Sequence, residues 1–264
     1  MALARFCAIG LLVSFATGAA AQDVAIPAPG TEAWQPLSFP KIEQHTRYTP
    51  ASEDGRPVLR AESDCSASGL LYPLRNVDLA KTPLLRWRWR IDEALAAADE
   101  RTKAGDDFAA RVYVSFAFEP ERASLLERAT RRLASVVYGE TLPGSSLAYV
   151  WTSREPVGAR WPNAYTAAAH MIAAASGAPA GWRDAEADLL ADYQRSFSHP
   201  APAPLFLALM TDTDNRCLRA RASYADFRFV SRPRAAGGST KSSTRRHTDS
   251  KCARLKPVPV VSQS

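Results

Sequence analysis

The sequence lacks the motifs that identify several common classes of enzyme. It has no G-x-S-x-G nucleophile elbow, no H-E-x-x-H zinc motif and no phosphate-binding loop. It also shows no internal repeat. The sequence has only four cysteines in 264 residues. A chain of this length is able to bury a sizeable core without disulfide bonds. The sequence is therefore that of a globular domain without a familiar catalytic motif.

The N-terminus has the organisation of a secretory signal peptide. Arg5 is the only charged residue among the first 22, an apolar run extends from Phe6 to Ala16, and small residues end at Ala21. This run is shorter than the roughly 20 apolar residues that a membrane span requires. We therefore expect residues 1–21 to be removed after Ala21, without lipid attachment, and the mature protein to be periplasmic with no transmembrane segment.

The C-terminal segment, residues 231–264, is rich in Gly, Ser, Thr, Pro and basic residues and contains no aromatic residue. Such a composition predicts a disordered basic tail. The tail carries a net charge of +7 and the leader +1; subtracting both from the total of +6 leaves −2 for residues 23–230. A basic tail is suited to binding anionic lipid or cell wall, but the favoured interpretation is a solvated tail that binds no partner. Export argues against a nucleic-acid partner.

Two cysteines, Cys65 and Cys217, lie in the remaining part of the chain, and Cys252 lies in the tail. An oxidising compartment permits a bond between the first two. Sequence spacing does not determine pairing, so the disulfide stays an open alternative.

Alternation of apolar and polar residues predicts several β-strands. The clearest places Leu85, Trp87, Trp89 and Ile91 on one face of a strand and three arginines on the other. Further strands are predicted at 112–118, 147–151, 205–210 and 225–229, with weaker ones at 58–62 and 170–174. Patterning of this kind favours a core position for Trp87, Trp89 and Trp151 over an exposed sugar-stacking platform.

Two segments have helical spacing instead. One begins at Pro120 and covers about 120–138, and the other begins at Asp184 as N-cap and covers about 184–197. Because the strands do not alternate regularly with helices, the pattern predicts an all-β, two-sheet β-sandwich with two helical insertions. We expect this domain to span residues 34–230, preceded by a linker at 22–33.

A series of motifs in this region resembles a known family. They are His45-Thr46-Arg47-Tyr48, Val58-Leu59-Arg60-Ala61-Glu62-Ser63, Ala67-Ser68-Gly69-Leu70, Trp87-Arg88-Trp89, the segment from Gly105 to Val114, the segment from Leu147 to Trp151, the segment from Met210 to Asn215, and the segment from Tyr224 to Phe229. Together they resemble the exported bacterial proteins of domain-of-unknown-function family 3047, over roughly Trp34 to Val230. The resemblance implies no established activity. The motif from Tyr224 to Phe229 is also similar to the last strand of galactose-binding-like jelly rolls, which include many carbohydrate-binding modules.

The three arginines, Arg86, Arg88 and Arg90, are spaced about 7 Å apart on one strand face. Guanidinium groups suit capture of carboxylate or phosphate, so a ligand face for an anionic partner is one interpretation. The favoured alternative is cross-strand pairing of each arginine with an acidic residue.

Two loops rich in acidic residues form a second candidate site. They contribute Asp106 and Asp107 before one strand, and Asp212, Asp214 and Asn215 after another. Oxygen ligands of this kind suit Ca²⁺, but turn formation explains the same residues, and we expect no cofactor. If the loops meet, Arg111 is placed to neutralise them. A carboxylate pair formed by Asp106 or Asp107 with Asp212 is the candidate for glycoside hydrolysis.

The leading functional hypothesis is a non-catalytic binding module for a carbohydrate or an anionic envelope component, using the arginines and both loops. The alternatives are an enzyme that acts on polysaccharide through a carboxylate pair, and a structural envelope protein without a small ligand. The sequence does not determine an oligomeric state.

The leader gives a direct test of export. We expect protein recovered from a Gram-negative periplasm to have the mass of a chain that begins at Gln22, because the cleavage site follows Ala21. Intact-mass spectrometry of the periplasmic and cytoplasmic fractions measures this. Recovery of a chain that retains Met1, or recovery only from the cytoplasm, would contradict the expectation.

Overall fold

The computed structural model describes residues 23–124, 128, 143–179 and 181–233. These residues form a two-sheet β-sandwich with a single α-helix among the described ranges. The strands are β1 (Val24–Ala25), β2 (Gln35–Leu37), β3 (Arg47–Glu53), β4 (Arg56–Asp64), β5 (Ala67–Pro73), β6 (Leu84–Ile91), β7 (Phe108–Phe116), β8 (Ser145–Thr152), β9 (Arg160–Pro162), β10 (Ala169–Ser176), β11 (Arg183–Asp188), β12 (Pro204–Asp212) and β13 (Arg219–Val230). The helix is α1 (Leu189–Phe197), and a short 3₁₀ turn covers Lys103–Gly105.

The strands form two sheets that face each other. The six-stranded sheet has the order β11-β6-β13-β4-β3, with β1 paired to β13, and the seven-stranded sheet has the order β2-β5-β12-β7-β8-β10-β9. Apart from the parallel pair β8–β10, the described pairs are antiparallel. The all-β sandwich predicted from the sequence is therefore confirmed. Within the described residues, no helix is both long and apolar enough to span a bilayer.

The core lies between the inner faces of the two sheets. Trp87 and Trp89 are 1% and 0% exposed, and Trp151 from the opposite sheet is 3% exposed. The rings of Trp89 and Trp151 are 5.7 Å apart, so the tryptophans join the two sheets. The predicted core role of these residues is confirmed, and they are not available as a sugar-stacking platform.

The predicted helix at 184–197 is too long at its N-terminal end. Residues 183–188 form β11, which pairs with β6 and sets Asp184 opposite Arg88 and Glu186 opposite Arg86. Attraction between these charged neighbours and burial of Ala187 favour a strand there. The helix begins one residue after Asp188, whose side chain caps it by accepting the Ala191 N–H at 3.1 Å.

Other expectations fall at the edges of the described residues. The interval 22–33, expected to be a linker, includes β1, which pairs with Arg228 and Phe229 of β13. The strand expected at 112–118 runs from Phe108 to Phe116. Most of the helix expected at 120–138, the leader at 1–21 and all but the first three residues of the tail lie outside the described residues.

The structure settles the pairing of the two domain cysteines. Cys65 lies directly after β4 and Cys217 lies two residues before β13, and a disulfide joins them across 152 residues of sequence. Side-chain hydroxyls join the same segments, because Ser63 Oγ and Thr213 Oγ1 lie 2.8 Å apart in a buried hydrogen bond. The disulfide therefore fastens the β12–β13 connection to the β4–β5 turn.

Removal of this disulfide should cost much of the domain's stability. A cross-link that closes so long a loop restricts the unfolded chain, so the double variant Cys65→Ala/Cys217→Ala should lose about 3–5 kcal/mol of unfolding free energy. Urea denaturation measures the loss. Cys252→Ser is the matched control, because it removes a cysteine outside the bond, and it should leave the midpoint unchanged. A double variant as stable as the parent would contradict the structural role.

Candidate functional site

The two acidic loops meet at one end of the sandwich. β7 and β12 are antiparallel neighbours, with Phe108 opposite Asp212 and Arg111 opposite Met210. The loop before β7 and the turn after β12 therefore lie side by side, although about a hundred residues separate them in sequence. We call this region the loop end; its members are Asp106, Asp107, Arg111, Asp212, Asp214 and Asn215.

Arg111 occupies the centre of the loop end, with only 2% of the residue exposed. Its Nε donates to Asp212 Oδ1 at 2.7 Å, and Nη2 donates to Asp212 Oδ2, so the two side chains form a bidentate pair. Nη1 donates to Asp106 Oδ2 at 3.3 Å and to the Tyr113 hydroxyl at 3.1 Å. One guanidinium therefore joins both loops and both strands.

Asp107 fixes the turn that follows β12. Its carboxylate accepts the backbone N–H of Asn215 and that of Arg216, each at 3.0 Å, and the Asn215 side-chain amide at 3.3 Å. The amide also donates to the Asp106 carbonyl at 3.2 Å. With its two N–H groups engaged inward, the Asn215 amide presents its oxygen outward.

The loop before β7 is held by close backbone packing. A Cβ atom on Gly105 would lie 2.1 Å from the carbonyl oxygen of Asp99, so only glycine fits at this position. Nearby, the buried carboxylate of Glu100 accepts the backbone N–H groups of Ser153 and Glu155 at 2.5 and 3.0 Å. These contacts tie the loop to the end of β8.

Burial and crowding shift the ionisation of the loop end. Burial raises the pKa of Asp212 to about 8, although the attraction of Arg111 opposes the rise and the nearby carboxylates add to it. Burial would by itself lower the pKa of the Arg111 guanidinium, but Asp106 and Asp212 raise it well above its ordinary value. Burial, reinforced by Asp107, also raises the pKa of Asp214. The loop end thus has more carboxyl groups than its central cation neutralises.

A metal ion is the other means of neutralising this region. Oxygen atoms of Asp107, Asp212 and Asp214 lie within 4.8 Å of one another. However, both oxygens of Asp212 accept from Arg111, and the Asp107 carboxylate accepts from two backbone N–H groups. Two of the three carboxylates in this group are therefore already engaged by contacts within the protein, and Arg111 supplies positive charge to one of them.

The solvent side of the loop end carries an aromatic residue that the sequence analysis missed. Tyr165 is 56% exposed, and its hydroxyl donates to Asn215 Oδ1 at 2.6 Å. The Lys103 ammonium lies 5.1 Å from the centre of the Tyr165 ring. Burial and the charges of Asp106 and Asp214 raise the pKa of Tyr165, so its hydroxyl remains a donor. Tyr165 lies in an irregular loop with no periodic pattern, so no sequence signal linked it to Asn215.

The arginine row of β6 lies on the outer face of the six-stranded sheet, away from the loop end. Each arginine has an acidic partner on another strand of the same sheet: the partners of Arg86 and Arg88 lie on the adjacent strands β11 and β13, and the partner of Arg90 lies on β3. The pairs are Arg86 with Glu186 (2.6 Å), Arg88 with Asp184 (3.4 Å) and Asp226 (3.5 Å), and Arg90 with Glu53 (3.1 Å).

Trp182 covers part of this row. The guanidinium carbons of Arg88 and Arg90 each lie 5.2 Å from the centre of its ring, and its indole N–H donates to Glu53 at 3.2 Å. Both arginine side chains are less than one-third exposed, at 27% and 28%. The row is therefore occupied by contacts within the protein.

From the contacts in the loop end, we expect the stability of the folded protein to depend on Arg111 and not on calcium. Arg111→Ala should destabilise the fold by about 3–5 kcal/mol, because it leaves buried carboxylates without their cation. The melting temperature of the parent should stay unchanged on addition of millimolar Ca²⁺ or of a chelator. Differential scanning calorimetry measures both effects, and Arg154→Ala, an exposed arginine after β8, is the matched control. A rise of several degrees with Ca²⁺, reversed by chelator, would show that a metal ion belongs to the site.

Comparison with known proteins gives the family and two similar solved structures. The family 11 carbohydrate-binding module of the cellulosomal cellulase Lic26A-Cel5E of Clostridium thermocellum has a TM-score of 0.39 and 8% identity, covering 77% of this chain and 91% of that chain. The family 30 module of Cel9D-Cel44B from the same organism has a TM-score of 0.40 and 12% identity, covering 80% of this chain and 98% of that chain.

Similarity at these TM-scores gives no information about a ligand of this chain. No curated protein matches the sequence. The family described as "Protein of unknown function (DUF3047)" matches residues 32–228, which is almost the whole sandwich, and the chain belongs to this family.

Proposed function

We propose that the protein is an exported, non-catalytic binding module whose loop end binds a carbohydrate. The observation that carries the proposal is Tyr165, an exposed aromatic ring whose hydroxyl is hydrogen-bonded to Asn215 beside further polar groups. Rigid aromatic side chains supply contact area at a low cost in conformational entropy, which favours their use in recognition.

The groups around Tyr165 suit the two kinds of surface on a sugar. A pyranose ring has an apolar face of C–H groups, and an aromatic ring such as Tyr165 is a suitable partner for that face. The hydroxyl groups at the edge of the sugar require both donors and acceptors. Lys103 supplies a donor, and the partly buried carboxyl group of Asp214 supplies an acceptor.

The site is preorganised by the buried part of the loop end. Asn215 positions the Tyr165 hydroxyl, Asp107 positions Asn215, and Arg111 holds the strands from which these loops extend. A surface held in its binding conformation before the ligand arrives loses less entropy on association. In this arrangement the buried residues position the site, and the exposed residues contact the sugar.

The same geometry favours binding over hydrolysis by the carboxylate pair considered from the sequence. Asp106, Asp107 and Asp212 are 5%, 3% and 1% exposed. Their oxygens accept hydrogen bonds from Arg111 and from backbone N–H groups. A glycosidic oxygen has no access to carboxyl groups that are buried and bonded in this way.

Export completes the proposal. The sequence of residues 1–21 supports cleavage and a periplasmic location. The bond between Cys65 and Cys217 adds support, because disulfides persist in oxidising compartments such as the periplasm.

The proposal predicts that binding depends on the Tyr165 ring. A glycan array should identify a ligand for the mature protein, and Tyr165→Ala should weaken its affinity by at least about tenfold, equivalent to about 1.4 kcal/mol. Tyr165→Phe keeps the ring and loses the hydrogen bond to Asn215, so it should show a smaller loss. Isothermal titration calorimetry measures the affinities.

Val157→Ala is the matched control, because Val157 is the other large exposed apolar residue among those described, at 64%. The control should bind as the parent does, and all variants should melt within a few degrees of it. Equal affinity for Tyr165→Ala and the parent would reject Tyr165 as a contact residue. An array without any hit would favour the structural alternative, and release of sugar product from a hit would favour the enzyme.

A further inference from the structure

A second surface with binding geometry lies at the edge of the six-stranded sheet. It is a groove of about 490 Å³, within the roughly 300–1,000 Å³ of many ligand sites. We call it the edge groove. Its principal lining residues are Gln44, His45, Arg47, Glu93, Arg219 and Arg221. Only Arg47 and His45 of these belong to motifs singled out in the sequence, and neither was assigned a role.

Strand register concentrates guanidinium groups in the edge groove. Arg47 of β3 and Arg221 of β13 flank Glu62 of β4 on either side, and Arg219 lies opposite Asp64. Alternation along β13 places Arg219 and Arg221 on the same face of the sheet. Register therefore brings Arg47 to the same concave surface as Arg219 and Arg221, which are distant from it in sequence.

These arginines are accessible, unlike those of the β6 row. The side chains of Arg47 and Arg219 are 75% and 80% exposed, and their partners Glu62 and Asp64 are 42% and 67% exposed. Arg221 is exposed and has no ion-pair partner among the described residues. Exposed ion pairs contribute little to stability, so an incoming anion is able to replace the carboxylate partners at small cost.

The edge groove also contains groups that accept hydrogen bonds. Glu62, Asp64 and Glu93 supply carboxylate oxygens, and the Gln44 amide supplies both a donor and an acceptor. A ligand that satisfies this surface needs negative charge for the guanidinium groups and hydroxyl donors for the carboxylates. Sulfate, an inorganic anion without a hydroxyl group, provides only the first, and a neutral sugar provides only the second.

We propose that the edge groove binds a carboxylate-bearing saccharide of the uronate type, with Arg219 and Arg221 contacting the carboxylate and the acidic residues accepting its hydroxyl groups. Guanidinium groups recognise carboxylates with two parallel hydrogen bonds, which gives orientation as well as attraction. The edge groove shares no residue with the loop end, and it includes neither Tyr165 nor Lys103, so this inference does not rest on the function proposed for the loop end.

The test compares matched ligands and matched variants. Calorimetric titration of the mature protein with trigalacturonate should show binding that weakens as salt is raised, since the attraction is partly electrostatic. The neutral galactose trimer should bind at least about tenfold more weakly at this site. The double variant Arg219→Ala/Arg221→Ala should lose at least about tenfold in affinity for trigalacturonate.

Two control variants separate this inference from the function proposed for the loop end. Arg154→Ala removes an exposed arginine outside the edge groove and should bind trigalacturonate as the parent does. Tyr165→Ala should also retain trigalacturonate binding, whatever its effect on the array ligand. Melting temperatures of all variants should lie within a few degrees of the parent, because every side chain that is removed is exposed.

Three results would overturn the inference. The first is no binding of trigalacturonate to the parent at low salt. The second is equal affinity of the parent and the double arginine variant. The third is tighter binding of a short polyglutamate than of trigalacturonate, which would identify an acidic peptide as the occupant.

Discussion

The bidentate pair between Arg111 and Asp212 is the contact on which the organisation of the loop end depends. It joins neighbouring strands at the point where two acidic loops leave the sheet, and the same guanidinium also contacts Asp106. Without it, several carboxyl groups would be buried close together in a region of low dielectric constant. The position of Asn215, and through it that of Tyr165, depends on loops that this cation holds together.

Pairs of arginine and carboxylate occur at three degrees of burial in this protein, and the degree of burial determines the role of each pair. Arg111 is almost fully buried and fixes the loops. Arg88 and Arg90 are about one-quarter exposed and link strands of the six-stranded sheet beneath Trp182. Arg219 is 80% exposed, so water competes for its charge and its partner is easily exchanged. The chemistry is the same in all three places, but only the exposed arginines are free to meet an external anion.

The disulfide links the two segments of the sandwich that lie next to the candidate surfaces. Cys65 lies between Asp64 and Ser66, which line the edge groove, and Cys217 follows Arg216, whose backbone N–H is bound by Asp107 of the loop end. Buried hydroxyl contacts reinforce this link, including the hydrogen bond from Thr46 Oγ1 to the Thr211 carbonyl at 2.7 Å. At both proposed surfaces the backbone is therefore constrained by contacts within the protein, and a constrained surface loses less entropy on binding a ligand.

The sequence by itself determined the class of fold and the character of its strands. The alternation from Leu85 to Ile91 leaves only one face suitable for a core, because successive side chains on a strand point to opposite sides. Local patterns also placed acidic residues in turns. Tertiary structure alone decided which residues meet. The pairing of Cys65 with Cys217, the strand rather than helix at 183–188, the approach of Tyr165 to Asn215 and the gathering of arginines around the edge groove all depend on strand register. Register is set by contacts between distant segments, and a local sequence pattern does not determine those contacts.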